Sequence, residues 1–147
     1  MILFTEGDDK MKVIVCVDDM GGMLFNRRRQ SRDKEVIRDI LSFTEGKKLW
    51  MDRYSSPLFD GAERSISVDD DFPAKMGDDD ICFVEDRHLS PYLERIDTVI
   101  VYKWNRRYPA DFYLDLQPDG WKKTEVRDFE GNSHEKITKE IYIKGEV

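Results

Sequence analysis

KVIVCV, residues 12–17, is apolar almost without interruption and rich in β-branched side chains, and Asp-Asp then Gly-Gly follow it. A strand with one wet face alternates apolar and polar positions. A continuous run needs cover on both faces, as the strands of a parallel sheet have. KKLWM (47–51), ICFVE (81–85) and TVIVYKW (98–104) read the same way. SRDKEVIRDILSFTEG separates the first two runs. In it Ser31 or Asp33 can cap a helix, Val36, Ile37, Ile40 and Leu41 share one face, and Gly46 closes it. LSPYLERI (89–96) reads as another helix, with Pro91 in its first turn. RYSSPLF (53–59) suits a short helix or turn, RSISV (64–68) is a further strand candidate, and ADFYLDL (110–116) is short and alternating. WKKTEVRDF and KITKEIYIK alternate over longer stretches and are joined by EGNSHE, the pattern of an antiparallel hairpin or bulged pair. The expected fold class is α/β, with a mostly parallel central sheet and antiparallel C-terminal edge strands. Ligands in such sheets bind beyond the carboxyl ends of the strands, which directs attention to Asp18, Asp52 and Glu85 onward.

Composition narrows the class. Hydrophobic residues make up 39% of the 147, enough for one cored domain. Residues 1–11 read as a disordered N-terminal extension and 12–147 as a single domain. No apolar run approaches the roughly 18 residues of a membrane span, and the charged start, MILFTEGDDK, argues against a signal peptide. Cys16 and Cys82 sit inside apolar runs, as unpaired thiols do in a reducing, cytoplasmic compartment. The net charge of −7 is uneven: residues 60–86 hold ten acidic and two basic residues, and the remainder holds 21 and 22. An acidic middle repels phosphates, so nucleic acid is disfavoured as a partner.

Candidate chemistry is sparse. DDMGGMLFNRRRQSRD, residues 18–33, opens on two carboxylates, followed by two glycines and four arginines. Asp18 and Asp19 at a strand end, with Glu85 or Asp86 nearby, have the oxygen ligands that Mg²⁺ takes. No phosphate-loop, Ser-His-Asp or Cys-x-x-Cys string is present. His88 and His134 stand alone in polar surroundings and read as surface or capping residues, and no zinc ligand set is expected. The arginines can also meet the acidic segment of another copy, giving a homo-oligomer.

Several strings, in order, resemble dihydrofolate reductase. KVIVCVDDMGGMLFN is similar to that family's first strand and mobile loop, with Gly22, Met23 and Asn26 matching its Gly-Met-x-x-Asn string. KKLWMDRYSS resembles the second strand and its Met-Gly-Arg-x-Thr turn. DDDICFVED and LSPYLERIDTVIVYKWNRRYPADFYLDL resemble the strand before the family's glycine turn and the segments after it. DGWKKTEVRDFEGNSHEKITKEIYIK is similar to the closing strands and the Asn-Ser-His junction. The likeness spans roughly residues 12–144 and implies a three-layer domain of that type. VIVCVDD and GGMLFNRRRQSRD also resemble short bacterial chains labelled ribonuclease Z. That chemistry needs a His-x-His-x-Asp-His cluster for two zinc ions, which two isolated histidines cannot build.

The resemblance implies a site and also marks its departures. In the family, two helix N-termini hold the cofactor's phosphates where glycine lets the backbone come close. Here Arg53 is retained and Ser55 stands for the usual Thr, but Asp52 replaces the glycine of the first turn. Glu85 and Asp86 replace those of the second. A carboxylate at each place costs on the order of 1–3 kcal/mol against a phosphate. No cofactor is therefore expected, and NADPH is disfavoured by Asp52, Glu85 and Asp86. Asp33 is the positional match for the family's acid, the one catalytic candidate, with an N-terminal helix residue as the plainer reading. The expectation is a small-ligand or partner-binding protein on a degenerate reductase scaffold. The ligand would be a small anion at Asn26, Arg27, Arg28, Asp33, Arg53 and Ser55. The alternatives are a diverged oxidoreductase using a nucleotide cofactor, and metal-dependent phosphoryl transfer or nuclease activity at Asp18 and Asp19.

Overall fold

The computed structural model describes residues 10–145. β1 (Met11–Val17) lies in the middle of a seven-stranded sheet, parallel to β6 (Ile81–Phe83) on one side and to β7 (Ile96–Lys103) on the other. Outside β6 come β4 (Leu49–Met51) and β5 (Ser67–Val68), both parallel. Outside β7 come β10 (Ile137–Ile143) and the edge strand β9 (Lys122–Phe129), both antiparallel to their neighbours. The mostly parallel sheet with antiparallel C-terminal strands is thus as the sequence implies. From β1 the chain crosses to one side, and from β6 it crosses back past β1 to β7. Such a reversal opens a cleft at the carboxyl ends of the central strands.

The apolar runs explain the layering. Along β1, Val13, Val15 and Val17 join a core with Phe72, Val84, Val99 and Val101 on one face. Ile14 joins the opposite core with Val36, Ile40, Leu49, Phe83 and Ile100. A side chain withdrawn this completely contributes about 1.5–3 kcal/mol by leaving water. Helix α1 (Lys34–Phe43) buries Val36 and Ile40 against that second face. Asp33 is its cap, accepting a hydrogen bond from the Glu35 N–H. The short helix α2 (Phe72–Lys75) puts Phe72 and Pro73 on the first face.

One sequence expectation is corrected. Residues 89–96 form a single 3-10 turn, Ser90–Tyr92, instead of a helix, and the chain then enters β7 at Ile96. Leu89 is already buried and its N–H is held by Asp115, leaving no length for a helix before the strand. Residues 110–116 reduce to β8 (Phe112–Tyr113). Of the extension expected over residues 1–11, positions 1–9 lie outside the described residues. Met11 is a buried residue of β1 paired with Ile96.

The stretch after β1, which resembles a mobile loop in sequence, carries regular structure. β2 (Gly22–Phe25) and β3 (Arg28–Arg29) form a hairpin, and β8 pairs with the other side of β2. The turn residues Asn26 and Arg27 both have positive φ, 51° and 63°, as a two-residue type I′ hairpin requires. Gly22 is necessary for packing, because a Cβ there would overlap Ala110, Gln30 and Asp18.

Candidate functional site

Asp18, Asp52 and Glu85 follow β1, β4 and β6, so their side chains stand at the mouth of the cleft. Each is committed to the protein itself. Asp18 is buried and accepts from the N–H groups of Met20, Gly22 and Tyr108 and from Gln30 Nε2. It therefore ties the hairpin to the segment after β7. Among the described residues no group of three or more His, Cys, Asp or Glu is placed to hold a metal ion.

Glu85 meets Arg29 of β3. Arg29 Nε donates to Glu85 Oε2 at 2.9 Å and Nη2 donates to Oε1 at 3.0 Å. The buried Ser55 hydroxyl adds a third bond to Oε1 at 2.8 Å. Arg29 also donates to the Tyr54 carbonyl and lies over the Tyr54 ring. This ionic cluster closes the space between the hairpin and the carboxyl ends of β4 and β6. Burial works against the Arg29 charge, but the Glu85 hydrogen bond and charge outweigh it and raise its pKa. Beside it, burial and the adjoining Asp52 carboxyl push Asp86 up to about 7. Arg87 lies 3.6 Å from Asp52 and compensates only in part.

Asp33 caps α1 and does much more. Its carboxylate also accepts from the N–H groups of Asn132 and Ser133, from the Ser133 hydroxyl and from His134 Nδ1. Burial opposes its charge, yet these bonds hold the carboxyl at about 2. Gly131 is required here, since a Cβ would overlap the Asp33 carboxylate. His134 is a correction to the surface reading: its side chain is 1% exposed. The ring stacks on Trp104 at 4.6 Å, and Nε2 faces the hydroxyls of Tyr108 at 2.9 Å and Ser31 at 3.3 Å. His88 stays at the surface, beside Asp115.

The expected ligand residues are distributed over separate places. Asn26 and Arg28 line a cavity of about 540 Å³ with Arg29, Gln30 and Tyr108. Arg27 lines a neighbouring cavity with Tyr54 and Asp86. Asp33 borders a third, with Arg32 and Asn132. Arg53 stands outside all three, its guanidinium held by Asp70. Ser55 is beneath Glu85. Arg29 and His134 are the site residues that sequence reading missed. The arginine run gave no reason to single out Arg29, and nothing local reports that His134 is buried.

No protein-family model matches the chain, and no curated protein matches it. Among solved structures the chain is similar to dihydrofolate reductase from Enterococcus faecalis complexed with NADP(H) and RAB-propyl, with a TM-score of 0.66 and 9% identity over 98% of this chain and 100% of that one. An identity that low speaks for the fold alone. The chain has a diverged dihydrofolate reductase-like fold.

Proposed function

We propose that this chain binds a small anionic ligand on a reductase scaffold that no longer carries out NADPH-dependent reduction. The observation behind this reading is the Arg29–Glu85–Ser55 cluster, an internal ion pair at a turn where the fold's cofactor site calls for glycine. Asp52 and Asp86 add further acidity beside it. A phosphate entering there would have to displace Arg29 from Glu85 and leave a carboxylate facing it, a cost of several kcal/mol.

An open space borders Arg29. Arg28 faces the cavity of about 540 Å³ together with Gln30 and Tyr108. Its guanidinium has no ion-pair partner among the described residues, in contrast to Arg29 and Arg53. The anion is therefore assigned to Arg28 and the Asn26 turn, with Arg53 outside the site. A protein partner is the second reading. Met20, Phe25 and Tyr113 are exposed apolar side chains on and beside the small sheet. Cys16 and Cys82 are free thiols, which suits a reducing, cytoplasmic setting. No helix among the described residues is long and apolar enough to cross a membrane.

Thermal unfolding with NADPH, with dihydrofolate, and with a panel of small carboxylates and inorganic phosphate tests the proposal. A ligand at a hundredfold excess over its Kd stabilises the native state by about 2.7 kcal/mol. The expected result is no shift with NADPH and a shift with an anion that Arg28→Ala removes and Arg53→Ala leaves. A clear shift with NADPH would overturn the reading.

A further inference from the structure

His134 is held more firmly than packing alone requires. One face of its ring lies on Trp104, Nδ1 is 3.1 Å from Asp33 Oδ2, and Tyr108 meets its edge. Asp33 is held ionised by the surrounding N–H groups, and it fixes the imidazole proton on Nδ1. Nε2 is then left as an acceptor, and it faces the hydroxyls of Ser31 and Tyr108. A hydroxyl, an imidazole within reach of it, and a carboxylate orienting the imidazole make the arrangement that activates a nucleophile. Such an arrangement is recognised by geometry and not by position in the chain.

We propose that Ser31, His134 and Asp33 form a nucleophilic triad for ester hydrolysis, with Ser31 as the attacking group. At 2.9 Å, Tyr108 is the closer hydroxyl and occupies Nε2 in the free protein. Tyr108 also lines the cavity that contains Arg28. A substrate oxygen bound there takes the Tyr108 hydrogen bond, and Nε2 is left to Ser31. Ser31 Oγ then attacks the ester carbon, and its proton passes to Nε2. The bond from that carbon to the leaving oxygen breaks, and the proton moves from Nε2 to the departing alcohol. Water then attacks the acyl carbon and gives its proton to Nε2; the bond from that carbon to Ser31 Oγ breaks, the acid leaves, and the proton passes from Nε2 to Oγ. The substrate class, an ester of a small anionic acid, rests on the proposed ligand cavity; the nucleophile itself does not.

The test is to treat the full chain with diisopropyl fluorophosphate and map the adduct by mass spectrometry, alongside hydrolysis of p-nitrophenyl acetate. Both reagents are uncharged, so their reaction is separate from anion binding. The expected result is one adduct on Ser31, absent in Ser31→Ala, and formed at least a hundredfold more slowly in His134→Gln. Ser31→Cys gives a check against misfolding. Its new thiol should react with iodoacetamide faster than the same thiol in the Ser31→Cys, His134→Gln double variant, with Cys16 and Cys82 present in both as a common background resolved by peptide mapping. An unlabelled wild-type chain, labelling undiminished in Ser31→Ala, or rates indifferent to His134 would overturn the proposal. Labelling of Ser31 with no anion bound would leave the triad standing and remove the assigned substrate class.

Discussion

Arg29 and Glu85, 56 positions apart in the chain, meet through two hydrogen bonds from one guanidinium to the two oxygens of one carboxylate. The pair joins β3 of the small sheet to the turn after β6 in the large one. Their side chains are 17% and 10% exposed, so removing one partner strands a charge that water reaches poorly. Arg29→Met should cost about 3 kcal/mol in urea unfolding, and the double change with Glu85→Leu should recover most of it. An additive double variant would mean that the pair carries no coupling.

The Asp52–Asp86 pair predicts an unusual pH response. The folded protein holds Asp86 at about 7, above the ordinary 3.8. Between those values the folded state binds more protons than the unfolded one, so stability should fall as pH rises through the window. Asp52→Asn should flatten that decline and raise the unfolding midpoint at pH 8. A decline of equal slope in the variant would assign the effect to other groups.

Asp33 acts in the opposite direction. Its folded pKa of about 2 lies below 3.8, so its contribution is complete above the ordinary carboxylate range and is lost as pH falls toward 2. Asp33→Ala removes the cap of α1 and strands the N–H groups of Asn132 and Ser133. The expected cost at pH 7 is about 2–4 kcal/mol, with a shallower acid limb in the unfolding profile.

Arg27 sits at φ 63°, in a turn that suits Asn-Gly better than Asn-Arg. Arg27→Gly should therefore raise stability by about 0.5–1 kcal/mol in chemical denaturation. A loss instead would show that the arginine side chain contributes more than its backbone costs.

The strands of the large sheet were legible because burial on two faces leaves a continuous apolar run, as at Val13 to Val17. The final hairpin was legible because two alternating segments flank a short polar joint, although only β10 has a covered face and β9 is exposed at nearly every position. Asp33 and the face containing Val36 and Ile40 likewise announced α1. The small sheet was not legible: its turn has no glycine, and β2 pairs with residues nearly ninety positions away. The apolar spacing of 89–96 was compatible with a helix, but Asp115 holds Leu89 from a distant loop. The same non-local character concealed the site. Arg29 looks like its neighbours until Glu85 is beside it, and His134 looks like a surface residue until Trp104 and Asp33 enclose it. The expected pocket residues line separate cavities or stand outside them.

β9, the outer antiparallel strand, has one last consequence. A sheet with an unpaired border offers its free backbone groups to any other extended chain. Lys122, Lys123, Glu125, Arg127 and Asp128 line that border in alternating blocks of sign, with nearly every position exposed. A second copy laid against it would have to desolvate these charges before making a hydrogen bond, so the protein should resist sheet-to-sheet polymerisation even when concentrated.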